Sequence, residues 1–110
     1  MLQVALCLLQ SRYRLRNPFK FQVGGETLWL LLESVKDIVA MGFSREYAIA
    51  ALNRRWSGFV LEDDDIIGHE DSKHWANDAI FGVESYWWME GSNPKPLPVP
   101  EARYWPKRNP

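Results

Sequence analysis

The chain has 110 residues and a formal net charge of −1, with 46% hydrophobic and 25% charged residues. That length predicts a single globular domain with its own core, and the near-neutral charge argues against non-specific binding of nucleic acid by the whole molecule. The apolar N-terminal run, residues 1–9, is shorter than the roughly 20 residues that cross a bilayer, so we expect no membrane span.

Charge is segregated along the chain. Residues 1–25 hold four basic residues and no acidic one, whereas residues 61–90 hold nine acidic residues and one lysine. The last segment, residues 91–110, is basic again. This pattern predicts complementary contacts within the fold or with a charged partner. A solvated acidic loop over residues 62–71 is the alternative interpretation.

The N-terminal part gives mixed signals. Residues 1–16 fit either a helix or a strand, whereas the alternation of apolar and polar residues over 19–23 predicts a short strand. Gly24-Gly25 suits a two-residue hairpin loop. The interpretation that competes with a hairpin is a helix that begins near Thr27 and runs to residue 41. We favour a strand over residues 19–23 with this helix directly after it.

A pair of helices joined by a tight corner is predicted over residues 34–56. Gly42 suits the end of the first helix, because glycine adopts left-handed backbone angles without a Cβ clash. Ser44 is placed to cap the second helix by accepting a hydrogen bond from a first-turn amide. The apolar stripe comprises Val35, Ile38 and Val39 in the first helix and Ala48, Ala51 and Leu52 in the second. Leu28, Leu31 and Leu32 continue the spacing of the first helix back towards Thr27.

Residues 35–52 resemble the ubiquitin-associated (UBA) domain, a compact three-helix module. The residues in register with that family's pattern are Ile38, Met41, Gly42, Phe43, Ala48, Ala51 and Leu52. In that family the Met-Gly-Phe loop and the end of the third helix contact the hydrophobic patch of ubiquitin. The resemblance therefore implies a protein partner, ubiquitin or ubiquitin-like, contacted by Met41, Gly42 and Phe43. The alternative is that these side chains only cover the helix corner.

A third helix is predicted over residues 72–89, with Asp71 or Ser72 as its cap. Its apolar residues recur every four positions at Trp75, Ala79, Val83 and Trp87. The UBA family has only a short turn before this helix, whereas residues 53–71 precede it here.

If the third helix docks beside the corner, three aromatic residues take the place of the aliphatic residues that usually lie there. They are Tyr86, Trp87 and Trp88.

Proline dominates residues 91–110, which hold six of the seven prolines. Four of them are spaced by two residues: Pro94, Pro96, Pro98 and Pro100. Alternating prolines predict an extended, polyproline-like strap. Tyr104 and Trp105 are expected to hold this strap in a groove, either on this protein or on a neighbour.

One acidic cluster with two histidines is the only candidate for metal or acid–base chemistry. It comprises Asp63, Asp64, Asp65, His69 and His74. Its spacing fits neither a calcium loop nor a His-Glu-x-x-His zinc helix, and a single cysteine, Cys7, cannot build a structural zinc site. A metal-dependent hydrolase that uses the aspartates is the enzyme hypothesis that remains.

The sequence thus predicts a mainly α fold. Residues 1–90 form one helical domain with a UBA-like helix pair and a short N-terminal β element, and residues 91–110 form the extended tail. The lone Cys7 indicates a cytoplasmic or other reducing intracellular compartment.

The predicted function is non-enzymatic protein–protein interaction without cofactor, catalytic residues or metal ligands. The predicted partner-binding residues are Met41, Gly42, Phe43, Tyr86, Trp87, Trp88, Tyr104 and Trp105. A structural subunit that uses the helix pair for packing in a larger assembly is the main alternative.

Overall fold

The computed structural model describes residues 16–63 and 70–107. Within them the fold is mainly helical, as predicted, with α1 at Gly25–Ala40, α2 at Arg45–Trp56 and α3 at Ser72–Phe81. None of these helices is long and apolar enough to cross a membrane. The predictions for residues 1–15, including Cys7, concern a part of the chain outside the described residues.

A two-stranded sheet joins the two ends of the helix pair. Strand β1, Gln22–Val23, precedes α1, and strand β2, Val60–Leu61, follows α2. The strands are parallel, with Gln22 opposite Val60. Since α1 begins directly at Gly25, Gly24-Gly25 does not form a hairpin. The strand is also shorter than the predicted residues 19–23.

The start of α1 is capped by a residue distant in sequence. Gly24 has no side chain for this role, and the Asp63 Oδ1 atom instead accepts hydrogen bonds from the amides of Glu26, at 2.9 Å, and Thr27, at 3.1 Å. The Thr27 hydroxyl donates to the Glu62 carbonyl. Because a carboxylate is favourable at a helix N-terminus, the segment after β2 holds α1 in place.

We expect Gly24→Ala to destabilise the protein by about 1–2 kcal/mol, the typical loss when a helix cap is removed. A Cβ atom at position 24 would lie 2.4 Å from the Asp63 Oδ1 atom and would push the carboxylate off the helix end. Gly25→Ala is the matched control, since a Cβ atom there has no neighbour within 4 Å. Urea unfolding followed by circular dichroism measures both. Equal midpoints for the two variants would contradict the capping role of Asp63.

The core lies between the three helices, with α2 at its centre. Leu28, Leu31, Val35 and Ile38 of the predicted stripe on α1 are buried, whereas Val39, near the end of the helix, is exposed. On α2, all six residues from 48 to 53 are buried, because α1, α3 and the C-terminal segment all pack against this helix. Trp56 and Trp75 meet edge to face, with ring centroids 5.4 Å apart, at the α2–α3 contact.

The third helix is shorter than the predicted residues 72–89. Asp71 caps its start, accepting a hydrogen bond from the His74 amide as expected. The helix ends at Phe81 because Gly82 has φ +91°, and the Leu97 side chain would lie 3.3 Å from a Cβ atom at that position. A short 3₁₀ helix, Val83–Ser85, follows. The prediction that residues 83–89 continue α3 is wrong.

The C-terminal segment, residues 92–107, runs back over the body of the protein and is called the strap below. Residues 92–101 form neither helix nor strand. The Leu97 amide donates to the Ile80 carbonyl at 2.8 Å, and the Arg54 guanidinium donates to the Pro98 carbonyl. A 3₁₀ helix, Ala102–Tyr104, then packs against α2. The strap therefore lies on this protein's own helices.

Candidate functional site

The corner between α1 and α2 has the tight geometry that the sequence predicts. The Gly42 amide donates to the Val39 carbonyl at 2.9 Å, and Gly42 has φ +109°, a value that favours glycine. The Ser44 hydroxyl accepts a hydrogen bond from the Tyr47 amide at 3.0 Å, which confirms its role as the cap of α2. These contacts fix the position of the two side chains that flank Gly42.

Those side chains have different environments. Met41 is 38% exposed and Val39, two residues earlier, is 43% exposed. Phe43 is half-buried and stacks on Tyr47, with ring centroids 4.6 Å apart. Met41 and Val39 thus face solvent, whereas Phe43 also packs against the core. We call Val39, Met41 and Phe43 the corner surface.

A pocket of about 760 Å³ lies next to the corner surface. Tyr47 links the two, because its other neighbour is Trp105, which it meets nearly perpendicularly at 6.0 Å between ring centroids. The start of α2 and the strap supply the walls: Ser44, Glu46, Val99, Pro100, Ala102, Trp105 and Pro106. This is the strap pocket, and it forms only because the strap returns to α2.

A buried asparagine holds the strap in place. The Asn53 side chain is 1% exposed, its Oδ1 atom accepts from the Lys20 amide at 2.8 Å, and its Nδ2 atom donates to the Tyr104 carbonyl at 2.6 Å. The Lys20 Nζ atom donates to the Arg103 carbonyl. Sequence reasoning missed Asn53, although a polar residue directly after the buried Ala51 and Leu52 was a usable signal.

Tyr104 and Trp105 take part in this arrangement in different ways. Tyr104 contributes its backbone carbonyl, while its ring lies under the Arg103 guanidinium at 4.6 Å. The Trp105 indole donates from Nε1 to the Pro100 carbonyl at 2.8 Å, which closes the end of the strap into a loop. Both side chains are half-buried.

The predicted residues Tyr86, Trp87 and Trp88 lie on a turn after α3 and not on a helix. The Met89 amide donates to the Tyr86 carbonyl, and Tyr86 has a left-handed backbone with φ +54°. Trp87 faces inward against the His74 ring at 5.2 Å. Tyr86, Trp88 and Met89 are each more than half exposed, and we call these three residues the aromatic turn.

Two residues of the predicted metal cluster, Asp63 and His74, make structural contacts in the fold. The Asp63 carboxylate caps α1, and His74 packs between Trp75 and Trp87, with its Nδ1 atom 3.6 Å from the Glu70 carboxylate. In the part of the chain that the structure describes, no three His, Cys, Asp or Glu residues are grouped to hold a metal ion. Asp64, Asp65 and His69 lie outside that part, so the hydrolase hypothesis stays a prediction.

Comparison of the chain with protein-family models, with curated proteins and with solved structures finds no significant match. Membership of the UBA family therefore stays a prediction from residues 35–52.

Proposed function

We propose that this protein is a non-enzymatic protein–protein interaction module that binds ubiquitin or a ubiquitin-like protein through the corner surface. The observation that carries the proposal is the exposure of Met41 and Val39 on a corner whose backbone is fixed by Gly42 and Ser44. A rigid corner loses little conformational entropy on binding. Methionine adapts its shape to a partner's apolar surface, which suits it for such a contact.

The expected affinity is low. Stable protein interfaces bury about 1,200–2,000 Å² in total, and three side chains at one corner supply only a part of that area. Area also converts poorly into affinity, because association costs translational and rotational freedom. We therefore expect a dissociation constant in the micromolar range or weaker, which corresponds to about −8 kcal/mol or less favourable.

Titration of ¹⁵N-labelled protein with ubiquitin tests the proposal. The amides of Met41, Gly42 and Phe43 should shift, and Met41→Ser should weaken binding about tenfold, the ratio that corresponds to 1.4 kcal/mol. We choose Met41 because truncating Phe43 would also break its stack on Tyr47. Met89→Ser is the matched control, since Met89 is also exposed, at 56%, but lies on the aromatic turn.

The two serine variants separate this proposal from its alternatives. An unchanged spectrum at residues 41–43 with excess ubiquitin, or equal weakening by Met41→Ser and Met89→Ser, would refute binding through the corner surface. Circular dichroism of both variants checks that the helices remain intact.

The aromatic turn favours a second candidate function, a structural subunit of a larger assembly. Tyr86, Trp88 and Met89 together expose a large apolar area, and aromatic residues and methionine are enriched at protein interfaces. Tyr86 has a left-handed backbone conformation, which tyrosine rarely adopts. Such strained conformations occur frequently at functional sites. Sedimentation equilibrium over a concentration series, with Trp88→Ser for comparison, tests whether the chain itself supplies the neighbouring subunit.

A further inference from the structure

The strap pocket combines an aromatic ring, apolar walls and one acidic side chain. The ring is Trp105, and Val99, Pro100 and Pro106 supply apolar atoms around it. Trp105 is held on two sides, by its hydrogen bond to the Pro100 carbonyl and by its edge contact with Tyr47. The ring is therefore fixed before any ligand arrives, and the ligand need not order it.

The acidic side chain is Glu46, in the first turn of α2. Within residues 16–63 and 70–107, its carboxylate makes neither an ion pair nor a hydrogen bond. The other acidic side chain of this region, Glu101, is paired with Arg103 at 3.2 Å and does not line the pocket. Glu46 is thus the charge that a ligand in the pocket would meet.

Positive charge also lies around the pocket, and it limits which ligands can bind there. Arg45 and Lys107 are exposed neighbours of the wall residues in sequence, and the α2 N-terminus carries partial positive charge. Neither Arg45 nor Lys107 lines the pocket. A cationic group that binds here must pass Arg45 and Lys107 and lie between the walls with Glu46 and Trp105, which favours a charge at the end of a long side chain.

We infer that the strap pocket binds a lysine or arginine side chain of a protein partner. The methylene stem of such a side chain packs on the apolar walls, as these residues commonly do. Its cation is attracted both by the face of Trp105 and by the Glu46 carboxylate. A purely apolar side chain would leave Glu46 without a counter-charge, and an acidic one would be repelled by it.

The inference extends the proposed function and rests on it for one point, the identity of the partner. The corner surface and the strap pocket are joined through Phe43, Tyr47 and Trp105, so one protein can contact both. Its surface would carry an apolar patch beside a basic side chain. The pocket itself can be tested without that partner.

The experiment titrates the full ¹⁵N-labelled chain with three small probes, N-acetyl-arginine amide, N-acetyl-norleucine amide and N-acetyl-glutamate amide. The arginine probe should shift the Trp105 indole N–H and the Glu46 amide at the lowest concentration, and added salt should weaken only this probe. Norleucine has a comparable apolar stem without charge, and it should bind several-fold more weakly.

Glu46→Gln should weaken the arginine probe about threefold to fivefold, the upper part of the range for an exposed ion pair, and leave norleucine unchanged. Glu101→Gln is the matched control and should alter neither. Equal binding of arginine and norleucine, or an unchanged arginine affinity in Glu46→Gln, would overturn the inference. Failure of ubiquitin to bind while the arginine probe still does so would reject only the proposed partner.

Discussion

Replacing Arg55 with alanine should destabilise the protein by about 2–4 kcal/mol, because it leaves a buried carboxylate without its cation. The Arg55 Nε atom donates to the Asp78 carboxylate, whose side chain is only 7% exposed. The guanidinium also lies over the Trp56 ring, with its centre 4.1 Å from the ring centroid. Urea unfolding followed by circular dichroism measures the loss.

A second substitution shows which part of that loss comes from the charge. Adding Asp78→Asn to Arg55→Ala removes the buried charge and should restore about half of the lost stability. Arg45→Ala is the control, since Arg45 is exposed at the start of α2 and should change stability by less than about 0.5 kcal/mol. A loss that Asp78→Asn does not reduce would mean that packing on Trp56, and not the charge, is what Arg55 contributes.

The position of this ion pair explains why it matters for the site. Arg55 belongs to α2 and Asp78 to α3, so the pair links these two helices directly. The neighbouring Arg54 donates to the Pro98 carbonyl of the strap and to the Ala79 carbonyl of α3. Consecutive arginines thus hold α3 and the strap against α2, where the strap pocket forms.

Local patterns were enough to predict the helix pair. The apolar spacing of α1, the glycine at the corner and the serine cap of α2 are all determined within a few residues of one another. Asp71 as the cap of α3 is a signal of the same kind. The predicted end of α3 is wrong, because the four-residue repeat continues to Trp87 whereas Gly82 interrupts the helix.

Local patterns cannot predict contacts between residues that are distant in sequence. Strand β1 has two residues, too few for a clear alternation, and its partner β2 follows only after both helices. The sequence places Asp63 in an acidic cluster, whereas the fold brings its carboxylate to the start of α1. The extra burial of α2 likewise depends on the path of the strap.

In the candidate site too, local features are predictable from sequence, whereas contacts between distant residues are not. The sequence indicates Met41 and Phe43 of the corner surface, since they flank the glycine that makes the turn, and their role in binding stays a prediction. It places Val39 in the apolar stripe of α1, whereas the structure exposes this side chain. The strap pocket was not predicted, because it needs Glu46 of α2 to meet Pro100 and Trp105 of the strap. Sequence could indicate that Trp105 holds the strap in a groove, but it could not say which groove.

Asn53→Ala should destabilise the protein by about 2–3 kcal/mol, because two hydrogen bonds to a fully buried side chain are lost. The Lys20 amide loses its acceptor and the Tyr104 carbonyl loses its donor. Asn77→Ala is the matched control: its side chain donates only to the Lys73 carbonyl within α3, in a partly exposed position, so its loss should be well below that of Asn53→Ala.

The effect of Asn53→Ala should also be local, which amide hydrogen exchange can show. The amides of Tyr104 and Trp105 donate to the Glu101 and Ala102 carbonyls. In the variant, the exchange rates of these two amides should rise more than the exchange rates of the α3 amides. Since Trp105 is a wall of the strap pocket, the arginine probe should bind this variant more weakly. A uniform increase in exchange, with unchanged probe binding, would mean that Asn53 stabilises the core without positioning the strap.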